Sequence, residues 1–263
     1  MCGICGIVSF AGAPDPARRG RAESMLRVLG HRGPDEVRLE DSPSAVFGAT
    51  RLAIRGLDSG SQPLVDAETG VLAVCNGEID NHVELRAWLA GRGRRVALDT
   101  DIAVVAPLYL ECGDAFVERL IGAFAVAIWD PRSRRLLLAR DRAGERPLFY
   151  APRGDEALFA SEVAAAVADA ATPLTPGREA IAHYLRYGCF AAPWTSFLEL
   201  KRVPPGEVVA LDGSGATARR YWRLGIAESV KVEPSLDRFD EGFRRAVLRQ
   251  SEVDVPFGVF LSG

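Results

Sequence analysis

Met1-Cys2-Gly3-Ile4-Cys5-Gly6-Ile7 opens the chain, and the rest of the sequence takes its meaning from how these seven residues are read. Removing the initiator methionine ahead of a small residue leaves Cys2 with both a thiol and a free α-amine. A thiol is mostly protonated at neutral pH, whereas an α-amine, with an ordinary pKa of about 7.7–8.0, is a base poised near working pH. Nucleophile and base then share one residue, an arrangement that activates a side chain without a histidine. The plainer alternative makes Cys2 a small hydrophobe at the start of a buried strand. Ile4 to Phe10 reads as that strand, ending at Gly12 and Pro14.

Outward from this stretch, the composition bounds the choices. The chain has 263 residues, enough for one large domain or one and a half. Its 48% hydrophobic and 25% charged content and net charge of −3 are those of an ordinary globular protein, with no signal for nucleic acid or an anionic membrane as partner. The densest basic run, Arg92-Gly93-Arg94-Arg95, reads as a solvated turn. No apolar run is long enough to span a bilayer, the N-terminus lacks the basic region of a signal peptide, and Cys rather than Gly at position 2 excludes myristoylation. A cytoplasmic location is therefore expected. The five cysteines, at 2, 5, 75, 112 and 189, do not form a disulfide framework. Cys2 and Cys5 spell C-x-x-C, but no second ligand pair follows, so no metal site is expected. On a strand the two would point to opposite faces, which also disfavours a redox couple.

Further along, Ala17 to Gly30 has helical spacing and delivers the chain to a polar loop, His31-Arg32-Gly33-Pro34-Asp35. Ala45 to Leu52 and Val71 to Cys75 read as the next two strands. Asn76-Gly77-Glu78 then allows two readings: a tight turn, or an oxyanion hole in which an Asn amide and a Gly N–H aim at a developing negative oxygen. Asn81 is expected to cap a helix from Val83 to Ala90, and one of Asp99 and Asp101 to cap the helix that carries Val104, Val105 and Leu108. Phe124 to Trp129 and Arg135 to Ala139 read as a hairpin around Asp130-Pro131; Leu148 to Ala151 and Ala157 to Ala160 form another pair. Stacked sheets covered by helices follow. An Ala-rich stretch and Thr172-Pro173-Leu174-Thr175-Pro176 mark a boundary. Beyond it come a helix from Ile181 to Tyr187, the turn Val203-Pro204-Pro205-Gly206, the strand Glu207 to Leu211, a helix from Pro234 to Ser251, and an apolar strand running into Ser262-Gly263. That ending is expected of a fragment.

Taken in order, these residues resemble the class II glutamine amidotransferases, specifically the glutamine-hydrolysing asparagine synthetases. The resemblance rests on M-C-G-I-x-G at 1–6, H-R-G-P-D at 31–35, R-L-x-I at 51–54, N-G-E-I at 76–79, R-D-x-x-G-x-R-P-L-F-Y at 140–150, S-E at 161–162, P-P-G at 204–206 and G-V-F-L-S-G at 258–263. It implies an α+β fold, a four-layer α/β/β/α N-terminal-nucleophile sandwich of two antiparallel sheets, followed by the first elements of an α/β ATP-pyrophosphatase domain. The implied division is a glutaminase core at 2–165, the end of that domain and a connecting segment at 166–225, and the start of a synthetase domain at 226–263.

The same resemblance assigns roles. Cys2 attacks the glutamine carboxamide, releases ammonia and leaves a thioester that water hydrolyses to glutamate, with its α-amine as proton shuttle. Asn76 and Gly77 form the oxyanion hole. Arg51 grips the substrate α-carboxylate, Asp101 holds its α-ammonium and Glu78 orients its amide. Leu261, Ser262 and Gly263 enter the pyrophosphate loop of the nucleotide site. The glutaminase half needs no cofactor. ATP and Mg2+ are expected for the intact protein, where ammonia amidates aspartate or another carboxylate, and a homodimer is among the expected assemblies. Alternatives are a related amidotransferase or cyclase acting on another carboxylate in a natural-product pathway, or a non-catalytic scaffold. Three positions depart from the family pattern: Asp80 stands for a common Tyr, Leu98 for a Thr, and Ala103 for a Glu.

Overall fold

The structure is a computed structural model that describes residues 1–12, 14–96, 98–225 and 235–261. Among the described residues twelve strands and six α-helices follow in chain order: β1 (Gly3–Ser9), α1 (Pro16–Val28), β2 (Glu36–Ser42), β3 (Ala45–Arg51), β4 (Leu64–Val65), β5 (Leu72–Ile79), α2 (His82–Ala90), α3 (Val105–Cys112), β6 (Gly122–Asp130), β7 (Arg135–Arg140), β8 (Phe149–Arg153), β9 (Glu156–Ala160), α4 (Val163–Val167), α5 (Arg178–Tyr187), β10 (Lys201–Arg202), β11 (Glu207–Asp212), β12 (Gly215–Arg220) and α6 (Leu236–Gln250). They pair into two six-stranded antiparallel sheets, ordered β10-β8-β9-β1-β3-β2 and β12-β11-β7-β6-β5-β4.

Each sheet is covered on both faces, which explains why its central strands read as unbroken apolar runs rather than alternating ones. Between the sheets lie Ile4, Val8, Phe47, Leu72, Val74, Trp129, Leu138 and Phe159. Ala73, Cys75 and Ile79, on the opposite face of β5, pack with Leu85, Leu89, Val105 and Leu108 of the helices outside it. Cys5 and Ile7 do the same on the outer face of β1, against Met25 and Leu26 of α1. The expected order of helix, sheet, sheet, helix is present. No helix among the described residues is long and apolar enough to cross a membrane.

Several expectations need correction. Asn76-Gly77 makes no turn: both residues sit inside β5, opposite Ala125 and Phe124 of β6, and the strand runs on to Ile79. Gly77 holds φ +125°, and a Cβ there would overlap the Ala123 carbonyl oxygen, so only glycine lets β6 approach. Asn81 precedes α2 but does not cap it with its side chain; its amide bridges the Arg119 carbonyl (2.9 Å) and the Ile121 N–H (2.9 Å). No strand forms over residues 256–261. With no pairing partner among the described residues, the segment leaves Val259, Phe260 and Leu261 exposed. β2 and β12 were not expected. Both are edge strands whose polar runs, Glu36–Ser42 and Gly215–Arg220, bury too little to show an apolar pattern. Pro234, Ser262 and Gly263 lie outside the described residues.

Candidate active site

The sandwich core changes character at one end. Leu72, Val74, Asn76 and Glu78 share the face of β5 turned towards the other sheet, because side chains alternate along a strand. The first two are core; the second two are polar. At the same end β1 begins, with Gly3 opposite Thr50 of β3, which places Cys2 beside Arg51 at the close of β3. Cys2, Arg51, Leu52, Ile54, Arg55, Gly60, Gln62, Gly77, Glu78, Thr100, Asp101 and Ile102 enclose a cavity of about 20 Å³, room for roughly one water-sized molecule. The structure thus brings Cys2, Arg51, Gly77, Glu78 and Asp101 together from four separate segments. Leu261 is 95% exposed and takes no part.

The N-terminus is held by residues from distant parts of the chain. The Gly3 N–H donates to Thr50 Oγ1 (3.1 Å), whose hydroxyl donates to the Leu29 carbonyl (3.1 Å). The Ile4 N–H donates to Ser161 Oγ (2.9 Å). Arg32 Nε donates to the Cys2 carbonyl (2.9 Å), and Glu162 holds both Arg32 (2.7 Å) and His31 (3.0 Å). The loop of residues 31–35 and the Ser161-Glu162 pair therefore locate Cys2. Gly33 is also required: a Cβ there would overlap the backbone of Arg51. Asp35 completes the seat by accepting from the Ala53 N–H (2.8 Å). Sequence reasoning singled out these motifs but gave Arg32, Thr50 and Ser161 no task. Their spacing in the chain carries no hint of contact; the shared presence of H-R-G-P-D and S-E was the available signal.

Asn76 is fully buried, and neither its amide nitrogen nor its amide oxygen has a hydrogen-bond partner among the described residues. Burial of such groups unpaired costs about 1–3 kcal/mol each; Asn76 does not itself line the cavity, but its neighbour Gly77 does. The expected cap from Asp99 or Asp101 does not form: the helical turns that follow begin at Thr100 and Val104 with no side-chain cap, Asp99 is solvent-exposed, and Asp101 is buried and accepts from the Ile79 N–H (2.7 Å) and the Thr100 hydroxyl (3.2 Å). Arg51 points its guanidinium at the carbonyls of Arg55 (3.0 Å), Gly56 (2.6 Å) and Leu57 (3.2 Å), with Glu36 at 3.6 Å.

Electrostatics separates the cysteines. Complete burial pushes the Cys5 thiol up to about 12 and that of Cys75 well above its ordinary value, making both inert packing groups. Cys2 faces the cavity, its Sγ 3.8 Å from the Leu52 carbonyl, and is raised by partial burial with the Glu78 carboxylate adding to it. A thiol held protonated needs a base. The neighbouring α-amine, carried by Met1 in this chain, is moved the other way by burial, towards its neutral form. Burial and then Asp101 raise the Glu78 carboxyl to about 7, against the pull of Arg55. Asp80 is likewise raised by burial and ion-pairs with Arg55 at 3.4 Å.

Residues 140–150 form a neighbouring loop, whose Arg146 faces Glu78 and Met1. The Asp141 carboxylate accepts from the N–H groups of Phe124, Ala143, Glu145 and Arg146, and Arg140 ties the same loop through the carbonyls of Gly144, Arg146 (2.6 Å) and Val203 (3.0 Å). Gly206 of the Pro-Pro-Gly turn donates to the Asp141 carbonyl (2.9 Å). Two of the motifs thus form one scaffold.

Residues 1–222 match the glutamine amidotransferase domain family. A glutamine-hydrolysing asparagine synthetase of Bacillus subtilis is 32% identical over all of this chain and 43% of its own length, and one of Arabidopsis thaliana is 33% identical over 99% of this chain and 40% of its own. A protein of Gibberella zeae named amidase chry2 is 31% identical over all of this chain and 41% of its own length. The chain therefore spans less than half the length of these relatives. Among solved structures, the glutamine phosphoribosylpyrophosphate amidotransferase of B. subtilis superposes with a TM-score of 0.59 at 21% identity, over 84% of this chain and 49% of its own, and shares the fold. With a family match over most of its length and both sheets in place, the chain belongs to the class II glutamine amidotransferases.

Proposed function

We propose that this chain is the glutaminase part of an asparagine synthetase-type amidotransferase. The observation that carries the reading is one cavity walled by Cys2, Arg51, Gly77, Glu78 and Asp101, next to a buried Asn76 amide that has no partner among the described residues. With Met1 removed, the Cys2 amine takes the thiol proton as sulfur attacks the glutamine carboxamide carbon. The Asn76 amide and the Gly77 N–H stabilise the tetrahedral oxyanion. The amine then returns the proton to the departing nitrogen, ammonia leaves, and water cleaves the thioester to glutamate by the same route. Asp101 pairs with the substrate α-ammonium and Glu78 with its amide. Arg51 takes the α-carboxylate with its two-pronged guanidinium, in place of the carbonyls of residues 55–57.

In the longer relatives' frame, residues 226–263 begin the synthetase part, and ammonia goes on to an ATP-activated carboxylate, that of aspartate first among candidates. ATP and Mg2+ belong to that second site, with Leu261, Ser262 and Gly263 at its entry. The test is intact mass before and after an electrophilic diazo-ketone analogue of glutamine. A chain starting at Cys2 that takes one adduct on Cys2 is the expected result. A chain starting at Cys2 that takes none and hydrolyses no glutamine overturns the reading in favour of a scaffold.

A further inference from the structure

Arg55 was not among the residues that sequence motifs brought forward, yet it touches more of the candidate site than any of them suggests. Its side chain is 6% exposed. Nε lies 3.5 Å from Glu78 Oε2, and Nη2 lies 3.4 Å from Asp80 Oδ1 and donates to the Arg249 carbonyl of α6 (3.1 Å). Its own backbone carbonyl accepts from Arg51 Nη2 (3.0 Å). The loop on either side is fixed from outside. The Gly56 N–H donates to Asp254 Oδ2 (2.7 Å), and the Asp254 N–H donates to the Ile54 carbonyl (3.0 Å).

Resting on the glutaminase reading above, we infer that Arg55 is a positioning residue for that reaction: its guanidinium aims the Glu78 carboxylate into the cavity while its carbonyl parks Arg51. One residue thereby holds the groups assigned to the two ends of bound glutamine, and Asp80 serves as the counter-charge that keeps Arg55 in place. This gives Asp80, a departure from the family pattern, a partner and a purpose. The charges facing Glu78 come from several segments: Asp101, Asp80, Arg55 and Arg146, with Cys2 and the N-terminal α-amine across the cavity. Asp101 and Asp80 hold its carboxyl up, and Arg55 and Arg146 pull it down. Loss of Arg55 therefore moves Glu78 further above about 7, and loss of Asp80 moves it down.

The experiment is steady-state glutamine hydrolysis against pH with this chain processed to begin at Cys2, comparing wild type, Arg55→Met, Arg55→Lys, Asp80→Asn and Glu78→Gln. Arg55→Met is expected to raise KM about tenfold, with a smaller change in kcat, and to shift the acidic limb of kcat/KM upward by about half a pH unit. Asp80→Asn is expected to shift that limb downward, and Arg55→Lys to recover the limb and part of KM. The upward shift must vanish in the Arg55→Met/Glu78→Gln double variant. A residue that only supports the fold would lower the melting temperature and leave limb and KM alone. An Arg55→Met chain with both unchanged overturns the inference; should that variant not fold, an unmoved limb in Asp80→Asn does so. A shift that persists in the double variant also overturns it, by placing the effect on the α-amine. A wild-type chain that hydrolyses no glutamine overturns the glutaminase reading first and this inference with it.

Discussion

Two hollows in this molecule make opposite impressions. One, about 750 Å³, runs between residues 175–180 and 193–201 under Trp194 and Leu198, and its walls carry no cysteine and no acid other than Glu179. The other, about 20 Å³, holds Cys2, Arg51, Glu78 and Asp101 at the end of the sandwich. Size favours the first and chemistry the second. The large cleft lies between the start of α5 and the loop of residues 193–201, with no convergent set of charged groups. The small one closes because Arg51 binds the carbonyls of the 55–57 loop across it. A small volume does not count against a reaction site, since closing a site expels water. Convergent polar groups locate it better than volume does.

The comparison is broken most sharply at Cys2. Cys2→Ala is expected to abolish glutamine hydrolysis while the circular dichroism spectrum and melting temperature stay near wild type; residual turnover at the wild-type rate would return the question to the larger cleft. Asn76→Ala comes next. Removal of an oxyanion donor costs about 10²–10³ in kcat, and since the Asn76 amide has no partner to lose among the described residues, stability should hold or improve. Equal losses of stability and turnover would instead make Asn76 a packing residue. Arg32→Met, which frees the Cys2 carbonyl, should lower kcat about tenfold through a less well-placed nucleophile, read by slower labelling of Cys2. At the small end stands Leu198→Ser in the large cleft: hydrolysis is expected within about twofold of wild type, as for surface substitutions in general. A large loss there would join the two hollows functionally.

Much of this was legible in the chain. The buried strands announced themselves as apolar runs, since sheets covered on both faces need them, and the ordered motifs carried Cys2, Arg51 and Glu78, which the fold gathers with Asp101 around one cavity. What stayed hidden is instructive. Asn76-Gly77 looks like a hairpin dipeptide, but the long β5–β6 pairing overrides that local preference and uses the glycine for close approach. As helix-cap candidates Asp99 and Asp101 are equivalent in sequence, and only the resemblance set Asp101 apart; the fold leaves Asp99 in solvent and Asp101 on the Ile79 amide. Thr50, Ser161 and Arg32 act on residues 30 to 157 positions away, a relation that no periodicity encodes. The edge strands β2 and β12 bury little and so left little trace.

The tethering of the first residues has a practical side. Thr50, Ser161 and Arg32 grip the backbone immediately after Cys2, so the thiol is in place whether or not the residue ahead of it has gone. On the glutaminase reading, folding and competence are then separate events, and an aminopeptidase, not the folding reaction, starts the clock. A preparation of uniformly folded protein can be a mixture of live and silent molecules, its specific activity a measure of trimming. A purification tag placed at this end would silence every copy without disturbing one strand.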